Sequence, residues 1–191
     1  MSVAFAALTY VVPVQTASNG TALSSGEWNK IVTNLTTLDS KVASALRPPV
    51  SVCRPSANQN LVANTWQQIV FDQRKYDTDS FCDTTGSTKF LPTKAGYYRV
   101  TVTAGYTKSA GGGGYTSYLS IKKNTSATEL ATYALHNYTS SHQHTMTAST
   151  ISYLNGTTDY LTAEIFVNDA NGTTTIQGGD NTHFVAEWIR E

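Results

Sequence analysis

The hydrophobic pattern changes once along the chain, at Pro48 and Pro49. Before these prolines, apolar residues recur every three or four positions. After them, apolar and polar residues alternate in short runs separated by turn residues. The first pattern is typical of an α-helix and the second of β-strands. The sequence therefore predicts an N-terminal segment over residues 1–22, a helix over residues 23–47 and a β-domain over residues 48–191.

Sequence signals mark both ends of the predicted helix. Ser24 and Glu27 have the S-x-x-E spacing of a capping box, in which each side chain accepts a hydrogen bond from the backbone N–H of the other residue. At the other end, Pro48 disfavours the helical conformation for Arg47, and Pro49 reinforces the stop. We therefore expect the helix to begin just after Ser24 and to end before Pro48.

The apolar positions of this helix form one narrow seam. Read as heptads, they occupy positions a and d in turn: Trp28, Ile31, Leu35, Leu38, Val42 and Ala45. A seam this narrow is typical of a coiled coil, and three heptads extend about 30 Å. The pattern leaves two interpretations open, because the seam could pack on copies of itself or on the β-domain of its own chain.

The rest of the chain predicts an all-β domain of about eight to ten short antiparallel strands. Longer candidate strands cover residues 66–71, 97–106, 115–122, 145–154, 160–167 and 182–189, and shorter ones cover 50–53, 88–91 and 129–136. Turn signals such as Asn155-Gly156 and Asn171-Gly172 separate them. This number and spacing of strands favours a sandwich or a jelly roll.

Several motifs of the β-domain resemble, in the same order, the globular head of complement component 1q, which shares the tumour necrosis factor jelly roll. They lie at residues 69–72, 76–77, 86–90, 95–98, 119–124, 154–160 and 182–189. The match includes a G-x-F…G-x-Y pattern at residues 86–98 and a closing T-x-F strand, in which Ala186 stands where the family usually has Gly. The resemblance implies an antiparallel jelly-roll sandwich that assembles as a homotrimer.

A trimeric head gives the helix a partner. Three jelly rolls around one axis would bring three N-termini together, where vertebrate members of the complement 1q family carry a collagen stalk and this chain has heptads instead. The resemblance therefore implies a three-stranded parallel coiled coil, whereas the seam composition alone does not choose three strands over two.

Composition narrows the classes of partner. Lys+Arg and Asp+Glu are both 13, so a net charge of zero gives no reason to expect nucleic acid as a ligand. Only 14% of residues are charged, and no apolar run is long enough for membrane insertion. Sequence motifs of catalytic sites are absent, so we predict a protein that is not an enzyme. A polar composition with little charge suggests a virion or extracellular surface.

Three sets of residues are candidates for specific roles. Cys53 and Cys82 could form a disulfide or remain free thiols. Tyr106, Tyr115 and Tyr118 flank a glycine-rich loop and form a candidate receptor surface, since exposed Tyr beside Gly and Ser makes an adaptable binding site. The alternative is that these tyrosines pack in the sandwich or at the trimer interface.

The third set is His142 and His144, two residues apart at the start of a predicted strand. Such residues point to the same side of a strand. If that side met a three-fold axis, six imidazoles would surround one point and could hold an axial transition-metal ion such as iron or nickel. The alternative is an ordinary pair of loop or interface histidines. No other cofactor is expected.

The sequence thus favours a trimeric fibre, spike or decoration protein on the virion of a tailed bacteriophage. Residues 1–22 would dock into another virion protein or fold back over the trimer, and the head would bind a glycan or protein of the host surface. The alternative is a secreted or spore-surface trimer of the complement 1q-like family with an extracellular recognition head.

Overall fold

The computed structural model describes residues 24–46, 48–85, 88–109, 116–125, 129–136, 143–168 and 173–190. The chain divides into two compact units, Met1–Pro48 and Pro49–Glu191, and we call the second unit the head. The predicted N-terminal segment, residues 1–22, lies outside the described residues, so its docking role stays a prediction.

Helix α1 spans Ser25–Leu46. Its first turn contains the reciprocal bonds of a capping box: the Ser24 backbone N–H donates to Glu27 Oε2 at 2.7 Å, and the Glu27 N–H donates to Ser24 Oγ at 3.3 Å. The side-chain hydrogen bond from Ser24, followed by its backbone bond, lowers the pKa of Glu27 below its ordinary value. These hydrogen bonds satisfy backbone N–H groups at the start of the helix that would otherwise have no partner within it.

The described residues of the head contain twelve strands and one short 3-10 turn. The strands are β1 (Val50–Arg54), β2 (Gln59–Leu61), β3 (Gln67–Gln68), β4 (Gln73–Asp77), β5 (Lys89–Phe90), β6 (Gly96–Lys108), β7 (Thr116–Lys123), β8 (Glu129–His136), β9 (Gln143–Leu154), β10 (Leu161–Asn168), β11 (Thr174–Ile176) and β12 (His183–Arg190). Every longer strand expected from the sequence is present except the one over residues 66–71. Strands β2, β4 and β11 were not expected.

These strands form two antiparallel sheets. The first contains seven strands in the order β2-β11-β6-β12-β1-β4, with β9 also paired to β6. A strand has only two edges, and β9 occupies one edge of β6 along Gly96–Thr107, so β12 and β11 follow each other along the opposite edge. The second sheet contains five strands in the order β3-β10-β7-β8, with β5 also paired to β10.

The predicted strand over residues 66–71 was wrong because the chain changes sheets there. Strand β3 belongs to the second sheet and β4 to the first, so the residues between them cross the edge of the sandwich. Ile69 and Phe71 are buried on this path, and the Val70 N–H donates to the side chain of Gln59 instead of to a neighbouring strand. The Ile69 N–H still donates to the Ala163 carbonyl of β10 at 2.9 Å, and the pairing with β10 ends there.

The core lies between the two sheets. Along β6 the side chains alternate, with Tyr98, Val100 and Val102 fully buried between exposed or partly buried residues. Phe184 of β12 stacks on Phe90 of β5 with ring centroids 5.1 Å apart, which joins aromatic residues of the two sheets. The alternation follows from the period-two geometry of a strand with one face toward the core.

Cys53 and Cys82 form a disulfide, with their Cα atoms 5.6 Å apart. Cys53 lies in β1 of the first sheet, and Cys82 forms an isolated bridge to Phe90 in β5 of the second sheet. The covalent bond therefore ties the first sheet to a segment on the edge of the second.

Candidate functional site: assembly and recognition surfaces

The first candidate surface is the seam of α1. Trp28, Leu35, Leu38 and Val42 are exposed to 58%, 60%, 40% and 45% in the single chain. Ile31 is half-buried. The Ala45 side chain lies outside the described part of the chain. Exposed aliphatic residues repeated along one helix face form a surface that association would cover.

The second candidate surface is the outward face of the first sheet, the face turned away from the core. Ile151 and Tyr153 of β9 are 59% and 46% exposed, and Tyr97 of β6 is 42% exposed. The Tyr97 and Tyr153 rings meet edge to face, 5.4 Å apart, across the two strands. Beyond them lies a row of cross-strand hydroxyl pairs, such as Thr101 with Ser149 at 2.9 Å. We call this surface the first-sheet face.

The third candidate surface lies on the outward face of the second sheet, where three aromatic rings meet. Trp66 lies 5.5 Å from Phe166 and 6.3 Å from Tyr118, between ring centroids, and Tyr118 lies 6.0 Å from Phe166. Phe166 of β10 and Tyr118 of β7 are direct cross-strand partners, and Trp66 precedes β3 on the other side of β10. Trp66 is 38% exposed, and the other two rings are half-buried.

Polar groups border these rings. Lys122 Nζ lies 5.2 Å from the centroid of the Trp66 ring and donates to Glu164 Oε2 at 2.6 Å. The other carboxylate oxygen of Glu164 accepts from Gln68 Nε2 at 3.4 Å, and Gln68 Oε1 accepts from the Thr88 hydroxyl. We call the set of Trp66, Tyr118, Phe166, Gln68, Lys122 and Glu164 the aromatic platform.

The structure places the three candidate receptor tyrosines differently. The prediction that Tyr106 lies on the surface was wrong, because its side chain is fully buried and its hydroxyl donates to Ser117 Oγ at 2.9 Å. Tyr115 lies outside the described residues. Tyr118 belongs to the aromatic platform. Sequence reasoning missed Trp66 and Phe166 because only the strand register brings them to Tyr118. The one available signal was the side-chain period, which puts Tyr118 on the opposite face from the neighbouring apolar Leu119.

His144 does not lie on an outward face. It has the same parity along β9 as Met146 and Ala148, which are buried, and its ring centroid lies 5.4 Å from that of the buried Tyr106. The β9 register therefore turns the His144 side chain toward the second sheet, away from the outward face of the first sheet. His142 lies outside the described residues, so a metal site on this pair stays a prediction.

Carboxylates of the head are held by local hydrogen bonds. Asp159 accepts from Asn124 Nδ2 at 2.9 Å and lies 2.8 Å from Lys123 Nζ, and these two contacts lower its pKa below the ordinary value. Lys75 and then Arg54 lower the pKa of Asp180 through charged hydrogen bonds. Among the described residues, no three His, Cys, Asp or Glu side chains cluster as metal ligands would. No helix within the described ranges has the length and apolarity of a membrane span.

No protein-family model and no curated protein sequence matches the chain. Solved structures do match. Eiger TNF from S. frugiperda is similar with a TM-score of 0.53 and 13% identity, over 76% of this chain and 95% of that one. Murine APRIL at pH 5.0 is similar with a TM-score of 0.52 and 11% identity, over 75% of this chain and all 100% of that one. At these identities the likeness shows the fold alone, and it confirms the predicted antiparallel sandwich as a jelly roll of the tumour necrosis factor type.

Proposed function

We propose that this protein is a non-enzymatic homotrimer on the surface of a virion, a fibre, spike or decoration protein of a tailed bacteriophage, whose head attaches to a host surface. The observation that carries the proposal is the exposed seam of α1 in a chain whose head has the tumour necrosis factor jelly roll. Heptads favour self-association of the helix, and the resemblance to complement 1q heads favours three copies.

The seam supports assembly through the amount of apolar surface that it leaves in water. Burying a Leu or Val side chain completely contributes about 1.5–3 kcal/mol, and Leu35 and Leu38 are 60% and 40% exposed in the single chain. Packing the a and d positions of three helices against each other would remove this surface from water. A coil of three heptads is short, so a second association surface in the same chain would stabilise it.

The first-sheet face supplies such a second surface. Ile151, Tyr153 and Tyr97 present exposed apolar groups close together, while the neighbouring Thr101 and Ser149 satisfy each other's hydroxyls. Of the charged groups on this face, Arg99 is paired with Glu187 at 3.1 Å, and the Arg190 guanidinium lies 5.9 Å from the centroid of the Tyr97 ring. Large exposed apolar side chains on one face are typical of an association surface.

The virion setting rests on composition and on the disulfide. Only 14% of the residues are charged, and polarity comes mainly from Thr, Ser, Asn, Gly and Tyr. The Cys53–Cys82 bond is typical of secreted proteins and of virion or cell surfaces. Residues 1–22 would dock into another virion protein. A secreted or spore-surface recognition trimer is the alternative, and it has the same architecture in another setting.

The assembly is tested by light scattering on the intact chain. We expect three times 20.6 kDa. Replacing Leu35 and Leu38 with Asp would bury six charges in the coil and should remove its helical signal. The matched control is Thr36→Asp with Thr37→Asp, which adds the same charges at exposed positions beside the seam. A monodisperse wild-type monomer would refute the trimer.

The setting is tested on particles. Deleting residues 1–22 should leave a trimer that no longer incorporates into virions, as measured by mass spectrometry of purified particles. Normal incorporation of the truncated chain would contradict the docking role. Absence of the full-length protein from particles, combined with its presence in the culture medium or on spores, would favour the alternative setting.

A further inference from the structure

The aromatic platform is not used by the proposed assembly. It lies on the outward face of the second sheet, whereas the first-sheet face lies on the other side of the sandwich. Its rings and its charged pair come from β7, β10 and the residues around β3. It therefore does not overlap the surface through which copies are proposed to associate.

We propose that the aromatic platform is a binding site for a neutral glycan. The inference rests on the attachment function proposed above and gives it a ligand class and a position. A pyranose ring has one or both faces made of C–H groups and a rim of hydroxyls. It is recognised by an aromatic surface next to hydrogen-bonding groups that stay in place.

The aromatic half of that chemistry is present. Trp66 is 38% exposed, and Tyr118 and Phe166 support it from β7 and β10 with ring centroids 5.5–6.3 Å from that of Trp66. Such ring packing limits the conformations of the indole, so little entropy is lost when a sugar ring contacts it. The cluster has an apolar surface suited to one or two sugar rings.

The polar half is preorganised beside the rings. The side chains of Lys122 and Glu164 are 18% and 15% exposed, and their hydrogen bond of 2.6 Å holds the carboxylate next to the ammonium group that lies 5.2 Å from the Trp66 ring centroid. Gln68 is fixed by Glu164 on one side and by Thr88 on the other. A carboxylate oxygen, an amide and an ammonium group together can accept from and donate to sugar hydroxyls.

Local charge indicates a neutral ligand. Within the platform, the charges of Lys122 and Glu164 cancel each other. The next cation on this face, Lys89, lies over the Tyr160 ring, with Nζ 4.3 Å from the ring centroid. The platform itself therefore has no net charge with which to select a sialylated or sulfated glycan or a phosphate group. A large protein partner would cover the charged pair at the centre of its interface, where charged residues are depleted. A hydroxylated ligand can instead add hydrogen bonds to both groups in water.

A trimer would present three such platforms. One small site of this kind binds weakly, and simultaneous engagement of linked sites raises the apparent affinity by about 10² to 10⁴ when the geometry permits it. The platform therefore suits attachment to a surface that repeats the same sugar many times.

The test is binding of the intact protein to an array of oligosaccharides, with neutral and with sialylated or sulfated members. We expect binding to neutral members, and a loss of about tenfold or more in affinity for Trp66→Ala. Trp66→Phe should recover part of the affinity, and Glu164→Gln should weaken binding while retaining the shape of the side chain. The matched control is Tyr133→Ala, because Tyr133 is 40% exposed on β8 of the same sheet but has the parity of its buried partner Leu119. Melting temperatures of all variants separate loss of binding from loss of folding.

Four outcomes are distinguishable. Neutral-glycan binding lost in Trp66→Ala and Glu164→Gln, but not in Tyr133→Ala, would support the site. Binding only to charged glycans, or equal binding by folded Trp66→Ala, would overturn it. Attachment to host surface that is unaffected by these variants would reject the platform and keep the attachment function. A trimer that binds neither the array nor the host surface would reject both.

Discussion

In α1, Trp28 and Leu35 are 58% and 60% exposed, whereas in the head Phe184 and Tyr98 are 1% and 0% exposed. Both regions contain many apolar residues, and the head buries its own between its two sheets. A single amphipathic helix cannot bury its own apolar face, whereas a sandwich of two sheets encloses its own core. The comparison shows that burial of its own core stabilises the head, whereas the stability of the helix depends on what its seam contacts.

The largest expected effect comes from the core of the head. Phe184→Ala would remove a ring that stacks on Phe90 and meets Phe71 edge to face at 5.6 Å. The free energy of unfolding of the head should fall by about 3–5 kcal/mol. The matched substitution is Leu38→Ala in α1, which should leave the melting transition of the head in place and raise the concentration at which the assembly dissociates. Calorimetry and sedimentation measure the two effects. An equal decrease in the melting temperature of the head for both variants would contradict the view that the head is stabilised independently of the helix seam.

Next in size is the disulfide. Replacing both Cys53 and Cys82 by Ala opens a loop with a sequence separation of 29 and should lower the free energy of unfolding of the head by about 2–4 kcal/mol. Reductant should produce a similar shift in the wild-type protein and none in the variant. The helical ellipticity should be the same in both. An unchanged melting temperature in the double variant would show that the bond does not stabilise the head.

A smaller effect is expected at the start of α1. Ser24→Ala removes the hydroxyl that accepts from the Glu27 N–H and should destabilise the helix by about 1 kcal/mol. Ser40→Ala is the control, since its hydroxyl donates to a carbonyl in the middle of the helix and caps nothing. Thermal loss of helical ellipticity measures the difference. Equal transitions for the two variants would show that the cap does not limit the stability of the helix.

The smallest effect is the pH dependence contributed by Asp159. Its pKa in the folded head lies below the ordinary value of 3.8. Its stabilising contribution is therefore fully present above about pH 4 and is lost as the pH falls through the folded pKa. Asp159→Asn should lower the melting temperature near neutral pH and flatten its decline below about pH 4. A decline of unchanged slope in the variant would assign the acid sensitivity to other carboxylates.

Local sequence signals were sufficient where one segment determines its own structure. Ser24 and Glu27 have the capping-box spacing, and their mutual hydrogen bonds are present at the start of α1. The long strands β6, β9 and β12 follow from period-two alternation, because each has one buried and one outward face. The jelly roll followed from the order of weak motifs over the whole β-domain, and the comparison with solved structures confirms it.

Only the tertiary structure decided which residues meet. Residues 66–71 read as one strand, but the chain changes sheets there because Ile69 and Phe71 enter the core from the edge. The short strands β2, β4 and β11 have little hydrophobic pattern of their own and exist because a neighbouring strand supplies their hydrogen bonds.

The candidate binding and association surfaces likewise depend partly on local sequence and partly on the tertiary structure. The sequence by itself determined the helix, its seam and the jelly-roll class, since these depend on local periodicity and on motif order. The structure decided that Tyr106 and His144 turn inward and that Trp66 and Phe166 join Tyr118, because a shift of one residue in register exchanges the two faces of a strand. It also decided that Cys53 and Cys82 are bonded, since the pairing of two sheets brings together residues that are separated by 29 positions in the chain.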